Sequence, residues 1–133
     1  MRTRNPVLAV ALLFVCLAGC GSREELRVTS IQLGRSLNAD GTVAGHTTTF
    51  GPGDDVYVSV LTAGAGSGTI RVRWTYRGRP LAEPSKQVSY RDIAATDFRL
   101  ESAGGFPLGE YMVEAFLNGQ PAGTREFRVE KRR

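Results

Sequence analysis

The sequence predicts an all-β fold, an antiparallel β-sandwich of about seven strands, and three observations carry that prediction. From Leu26 onward, short runs rich in Val, Ile, Tyr, Phe and Thr alternate with polar residues. Clusters of Gly, Pro, Asn and Asp interrupt them at the spacing of successive short strands. No stretch repeats its apolar residues at helical spacing over the length of a helix. A period of two gives each strand one face for a core and one for water.

The residues before Leu26 are of a different kind. Arg2 and Arg4 precede an unbroken apolar run of eleven residues, Val7 to Leu17, and the small residues Ala18 and Gly19 follow. Crossing a bilayer takes roughly 20 apolar residues, so this leader has the build of a cleaved signal and not of a retained span. Its end, Leu17-Ala18-Gly19-Cys20, resembles the lipobox of bacterial lipoproteins. The resemblance implies a diacylglycerol group on the Cys20 thiol, cleavage just before that residue, and an address in the bacterial cell envelope. Gly21 stands where an Asp commonly retains such proteins in the inner membrane, which favours the outer membrane, facing the periplasm. The chain then divides into a signal peptide (1–19), a lipidated cysteine with a short tether (20–25), a sandwich domain (26–130) and a basic tail (131–133).

Removing the leader takes away two of the 17 basic residues and none of the 13 acidic ones, so the mature net charge is 15 − 13 = +2. Nucleic-acid binding needs a concentrated basic footprint, and a balance this even argues against it. Cys16 and Cys20 are the only cysteines, the first in the leader and the second consumed by lipid. No disulfide is expected, so the fold rests on its core.

In chain order, the first strand is expected over Leu26 to Leu33, with a bulge between Val28 and Ile31 because the two fall on opposite parities. A long connection, Gly34 to Asp54, contains the Asp40-Gly41 turn pair, the Gly51-Pro52-Gly53 breaker and an edge piece at Thr47 to Phe50. Val56, Val58 and Val60 form the next strand. A glycine-rich and mobile loop, Gly64 to Gly68, is expected to follow. Ile70, Val72, Trp74 and Tyr76 face one way and Arg71, Arg73, Thr75 and Arg77 the other, which marks the central strand. A turn at Gly78-Arg79-Pro80 leads to a weaker strand in Leu81 to Tyr90, an edge because of Pro84. Asp92 to Ala95 suits a helical turn, and Thr96 to Leu100 a strand. Tyr111, Val113, Ala115 and Leu117 point inward on the next strand, with Glu110, Met112, Glu114 and Phe116 outward. Asn118-Gly119 is the pair that a type I′ hairpin turn requires. Phe127 and Val129 point inward on the last strand.

With one Trp on the third main strand and a Gly109-Glu110-Tyr111 entry to the sixth, the pattern resembles an immunoglobulin-like or fibronectin-III-like sandwich over Leu26 to Val129. The Phe50-Gly51-Pro52-Gly53-Asp54 lead-in is similar to that of Ig-like modules of bacterial envelope proteins. The resemblance implies that Trp74 is the core tryptophan of strand C and that Tyr111 forms a tyrosine corner. Val58 and Val113 stand where antibody-type domains have bridging cysteines. Modules of this kind mostly bind, space or brace other molecules.

Catalysis, metals and cofactors are not expected. His46 lies in a polar loop with no partner ligand at short spacing. Ser36 to Asp40-Gly41 echoes a calcium loop, but its twelfth position is Thr47 and not glutamate. Asp54 and Asp55 end a loop, and Gly64 to Gly68 lacks the Lys-Ser/Thr of a phosphate loop. The outward residues offer more. If strands C, F and G are neighbours, Arg71, Arg73, Arg77 and Arg128 gather with Glu110, Glu114, Glu126 and Glu130 around Met112 and Phe116. Such a face is either solvated and laced with weak cross-strand pairs or a binding face, with arginines as forked donors around an apolar centre. On the binding reading Arg71, Arg73, Arg77, Met112, Phe116 and Arg128 carry recognition. Phe116, being outward, is expected to lose under about 1 kcal/mol on truncation. The expected partners are the membrane, through the N-terminal lipid, and an envelope protein; a glycan or anionic lipid is the alternative ligand.

Overall fold

The computed structural model describes residues 24–131; the leader, Cys20 and the last two residues of the basic tail lie outside the described residues. Ten strands follow in order: β1 (Arg27–Leu37), β2 (Val43–His46), β3 (Thr49–Phe50), β4 (Val56–Ala63), β5 (Gly66–Tyr76), β6 (Arg79–Ala82), β7 (Ser85–Tyr90), β8 (Ala94–Leu100), β9 (Gly109–Leu117) and β10 (Gln120–Val129). They form two sheets. One runs β2-β1-β4-β8 and the other β3-β10-β9-β5-β6, with β7 also paired to β5. Among the described strands every pairing is antiparallel except the short β3 against β10, and an isolated parallel bridge joins Glu25 to Ala65. This is the immunoglobulin-like β-sandwich.

The period-two residues fill the space between the sheets. Val56, Val58, Val60, Ile70, Val72, Trp74 and Val113 are wholly buried. The Trp74 ring meets Phe127 edge-on, with centroids 5.9 Å apart, and Phe127 stacks at 5.1 Å on Tyr111. The bulge in β1 falls between Val28 and Ser30, as the parity switch requires. Asn118 and Gly119 turn β9 into β10 with φ of 52° and 82°, both in the left-handed region that a type I′ turn demands.

Several local expectations are corrected. About half of the connection from Gly34 to Asp54 is strand. β1 runs on to Leu37, which pairs with Val43 in a hairpin; the edge piece expected at Thr47 to Phe50 is present as β3, beside β10. Polar residues on both faces conceal this hairpin from a hydrophobic pattern. Asp92 to Ala95 forms no helical turn, because Ala94 and Ala95 are already paired with Thr62 and Leu61. The turn expected at Gly78-Arg79-Pro80 sits one residue earlier, at Arg77-Gly78, where both φ values are positive (47° and 78°). Pro84 splits the weak strand into β6 and β7.

Gly64 to Gly68 is not a free loop. β5 already begins at Gly66, and the backbone of Ala65 donates to the Glu24 carbonyl and accepts from Leu26 N–H. Gly64, at φ 83°, permits this close approach: a Cβ there would lie 2.2 Å from the Glu25 carbonyl oxygen. The chain therefore enters the sandwich clamped against the β4–β5 turn.

At the opposite end, the Tyr111 hydroxyl donates to the Pro107 carbonyl at 2.6 Å, the tyrosine corner the resemblance implied. Burial pushes its phenol up to about 12, Tyr76 adding to the shift and Arg77 opposing it. In the unfolded chain a tyrosine titrates near 10, so the unfolded state releases this proton first as pH rises. The stability tied to Tyr111 is therefore complete below about pH 10 and lost on the way to about pH 12. Urea midpoints across that range should fall more steeply for the wild type than for Tyr111→Phe, which sacrifices about 1 kcal/mol at neutral pH with the corner hydrogen bond.

Candidate functional site

Strands β5, β9 and β10 are neighbours, and their outer faces bring the predicted residues into rows. Across β5 and β9, Arg71 lies opposite Phe116, Arg73 opposite Glu114 and Thr75 opposite Met112. Across β9 and β10, Met112 lies opposite Glu126 and Glu110 opposite Arg128. The expected residues separate into two groups with different chemistry.

The first group is saturated. The Arg71 and Arg73 guanidinium groups lie 4.4 and 5.1 Å from the Phe116 ring centre. Glu83, from the link between β6 and β7, holds both: Arg73 Nε donates to it at 2.9 Å and Arg71 Nη1 at 3.4 Å. Phe116 faces outward, as the alternation implies, but this cover leaves it only 7% exposed. Its expected exposure is thus corrected, since the stems and heads of long arginines can roof an apolar ring. Phe116→Ala should cost about 2–3 kcal/mol in chemical denaturation; a full core phenylalanine costs about 3–5, and part of this ring's surroundings is guanidinium.

The second group is open. Arg77, Met112 and Arg128 line a trough of about 430 Å³ together with Thr48, Thr49, Thr75, Glu110 and Glu126. Its wall at Thr48 and Thr49 exists because β3 runs parallel to β10, with Arg128 N–H donating to the Thr48 carbonyl. Arg77 belongs to the turn beyond β5 and not to the strand itself, and its guanidinium lies 5.3 Å from the Tyr76 ring centre. Arg128 reaches Glu110 at 3.7 Å and Glu130 at 3.5 Å; all three side chains are more than half exposed. Contacts that loose and wet are worth little, so Arg128 is free to exchange them for a better acceptor. Two arginines and two glutamates balance the trough's charge around the half-buried Met112.

Sequence reasoning missed Glu83, Thr48 and Thr49, and it placed Thr75 on the outward face without a role. Glu83 gave no local signal, because its partners lie 10 and 12 residues earlier and across a strand pair.

The remaining polar candidates have structural duties. Asp40 accepts from Thr42 N–H and its hydroxyl, closing the β1–β2 turn, and these bonds, the hydroxyl's above all, hold its carboxyl below the usual range. Asp54 accepts from Gly51 N–H and Arg35, and Asp55 pairs with Arg99. His46 is exposed at the end of β2. Among the described residues no three His, Cys, Asp or Glu side chains cluster as metal ligands would.

Neither a family model nor a curated protein matches the sequence. Solved structures do match the fold. An immunoglobulin-like protein from Pseudomonas aeruginosa superposes with a TM-score of 0.57 at 14% identity, covering 83% of this chain and all of that one. An alkylpurine DNA glycosylase from Pseudomonas fluorescens gives 0.53 at 10% identity, and a β-glucosidase from Listeria innocua 0.50 at 16%; they cover 80% and 81% of this chain. This chain spans only 30% of the first enzyme and 16% of the second. At these identities the likeness extends to the fold alone.

Proposed function

We propose that this protein is a lipid-anchored, non-catalytic binding module of the bacterial cell envelope that docks a protein partner in the trough around Met112. The lipobox at Leu17 to Cys20 supports the anchor, with Gly21 favouring the outer membrane, facing the periplasm. The observation that carries the binding reading is the charge-balanced trough. A methionine floor ringed by Arg77, Arg128, Glu110 and Glu126 suits a protein surface of mixed charge, because soft apolar contact supplies area and the paired charges set orientation. An anionic lipid headgroup would gain little there, since each arginine is offset by a glutamate. A glycan is also poorly served: the two aromatic residues that line the trough, Tyr111 and Phe127, are buried and offer a sugar no ring face to stack on.

The test uses the lipidated protein as bait in detergent-solubilised membranes, beside a Met112→Ala/Arg128→Ala variant. Both side chains lie on the outer face, and the pair should change stability by about 1 kcal/mol or less. Recovery of a specific membrane-associated partner should fall about tenfold or more, the effect expected when a central anchor of an interface is removed. Equal recovery by variant and wild type would remove the trough from the account.

A further inference from the structure

Ile93 is out of place. Turn tips favour Gly, Asn, Asp and Ser for their backbone freedom and local hydrogen bonds, yet the bend between β7 and β8 presents a β-branched aliphatic side chain that is 77% exposed. Leu81 and Leu108, the other large apolar residues left open, are each 47% exposed.

The position of this tip matters more than its exposure. Tyr90 pairs with Gly66, the residue after Ala65, which clamps the entering chain at Glu24 and Leu26. Ala94 pairs with Thr62, and the adjacent Ala63 pairs with Arg27. The Arg91–Ile93 bend therefore lies at the same end of the sandwich as the chain entry. Along that end β8 and β1 are two strand spacings apart, about 10 Å. Only residues 21–23 separate Cys20 from the clamped Glu24, four residue steps that reach at most about 14 Å. A domain held that closely keeps this end against the bilayer at high effective concentration.

We infer that Ile93 is a second membrane contact, inserting into the interfacial layer of the bilayer that carries the lipid anchor. The inference rests on the anchor proposed above. The contact is apolar in kind: Arg91 and Asp92 beside it cancel in charge, so a neutral phosphatidylcholine surface suffices. Two contacts about 10 Å apart resist tilting where one lipid alone permits it, and they hold the Arg77 and Arg128 end of the trough, at the far ends of β5 and β10, away from the membrane.

Lipidation leaves the mature protein no free thiol, so a single introduced cysteine can be labelled. The lipidated Ile93→Cys and Glu101→Cys proteins, each carrying an environment-sensitive fluorophore, are reconstituted into phosphatidylcholine vesicles containing nitroxide-labelled lipid. Glu101 follows the far end of β8, about 26 Å along the strand direction from Ile93. The probe at 93 should emit to the blue and be quenched by the nitroxide, and the probe at 101 should not. Ile93→Ser, with the fluorophore at neighbouring Arg91→Cys, should reduce quenching about tenfold in population terms, as expected when one buried aliphatic side chain is lost. Vesicles that float with the protein while the two probes respond alike overturn the Ile93 contact and leave the anchor standing. A protein that stays in solution overturns the anchor and this contact with it.

Discussion

Trp74→Ala is expected to remove a large part of the domain's stability. The ring is wholly buried on β5 between the two sheets and meets Phe127 edge-on. Its removal loses the transfer energy of the largest core side chain and leaves a cavity that flanking strands, fixed by their ladders, cannot collapse. The cost is about 3–5 kcal/mol, against a total stability of about 5–15 kcal/mol for a domain of this kind. Trp74→Phe should cost clearly less. It keeps most of the ring and removes an indole N–H that is buried without a hydrogen-bond partner, a group that burial penalises. Urea titrations followed by circular dichroism rank the three proteins. The chain has one tryptophan, so native emission reports this site alone and should be strongly blue-shifted. A Trp74→Ala midpoint equal to that of the wild type would place the core elsewhere.

The second large effect is one of address. On the proposed anchoring, Cys20→Ser removes the sulfur that would carry diacylglycerol, and it should leave a poorly processed, unlipidated precursor where the wild type is membrane-bound. The difference is close to all-or-none, because two acyl chains anchor stably where one is marginal. Detergent-phase partitioning and the intact mass of the mature protein measure it. A wild-type mature protein that partitions into the aqueous phase, with an unmodified mass starting at a residue other than Cys20, contradicts the anchor.

What was legible in the sequence was what depends on a residue's own parity. Val56 to Val60, Ile70 to Tyr76 and Tyr111 to Ala115 each read as strands with one buried face, and the structure buries that face. Asn118-Gly119 announced its turn because few other pairs adopt two positive φ values. The strands on either side of the Asp40-Gly41 turn were not legible, since Asn38, Asp40 and Thr42 satisfy one another by side-chain hydrogen bonds and Ser36 donates to the Ala44 carbonyl in place of an apolar pattern. Phe116 was assigned to the correct face but the wrong environment, because its cover comes from Arg71 and Arg73 on the neighbouring strand and from Glu83 beyond it. The candidate site was half visible for the same reason. Arg77, Met112 and Arg128 could be placed on one face by alternation, but only the parallel pairing of β3 with β10 raises the Thr48–Thr49 wall that makes the face concave.

The most direct measurement places a photo-cross-linking side chain at Met112 in the full-length protein within intact cells. A matching side chain at Tyr57, on the outer face of the opposite sheet, serves as the control. The account predicts a discrete adduct to a membrane-associated protein from position 112 that position 57 does not form and that Arg128→Ala diminishes. Absence of an adduct at 112, or the same adducts from both positions, contradicts a docking role for the β5–β9–β10 face.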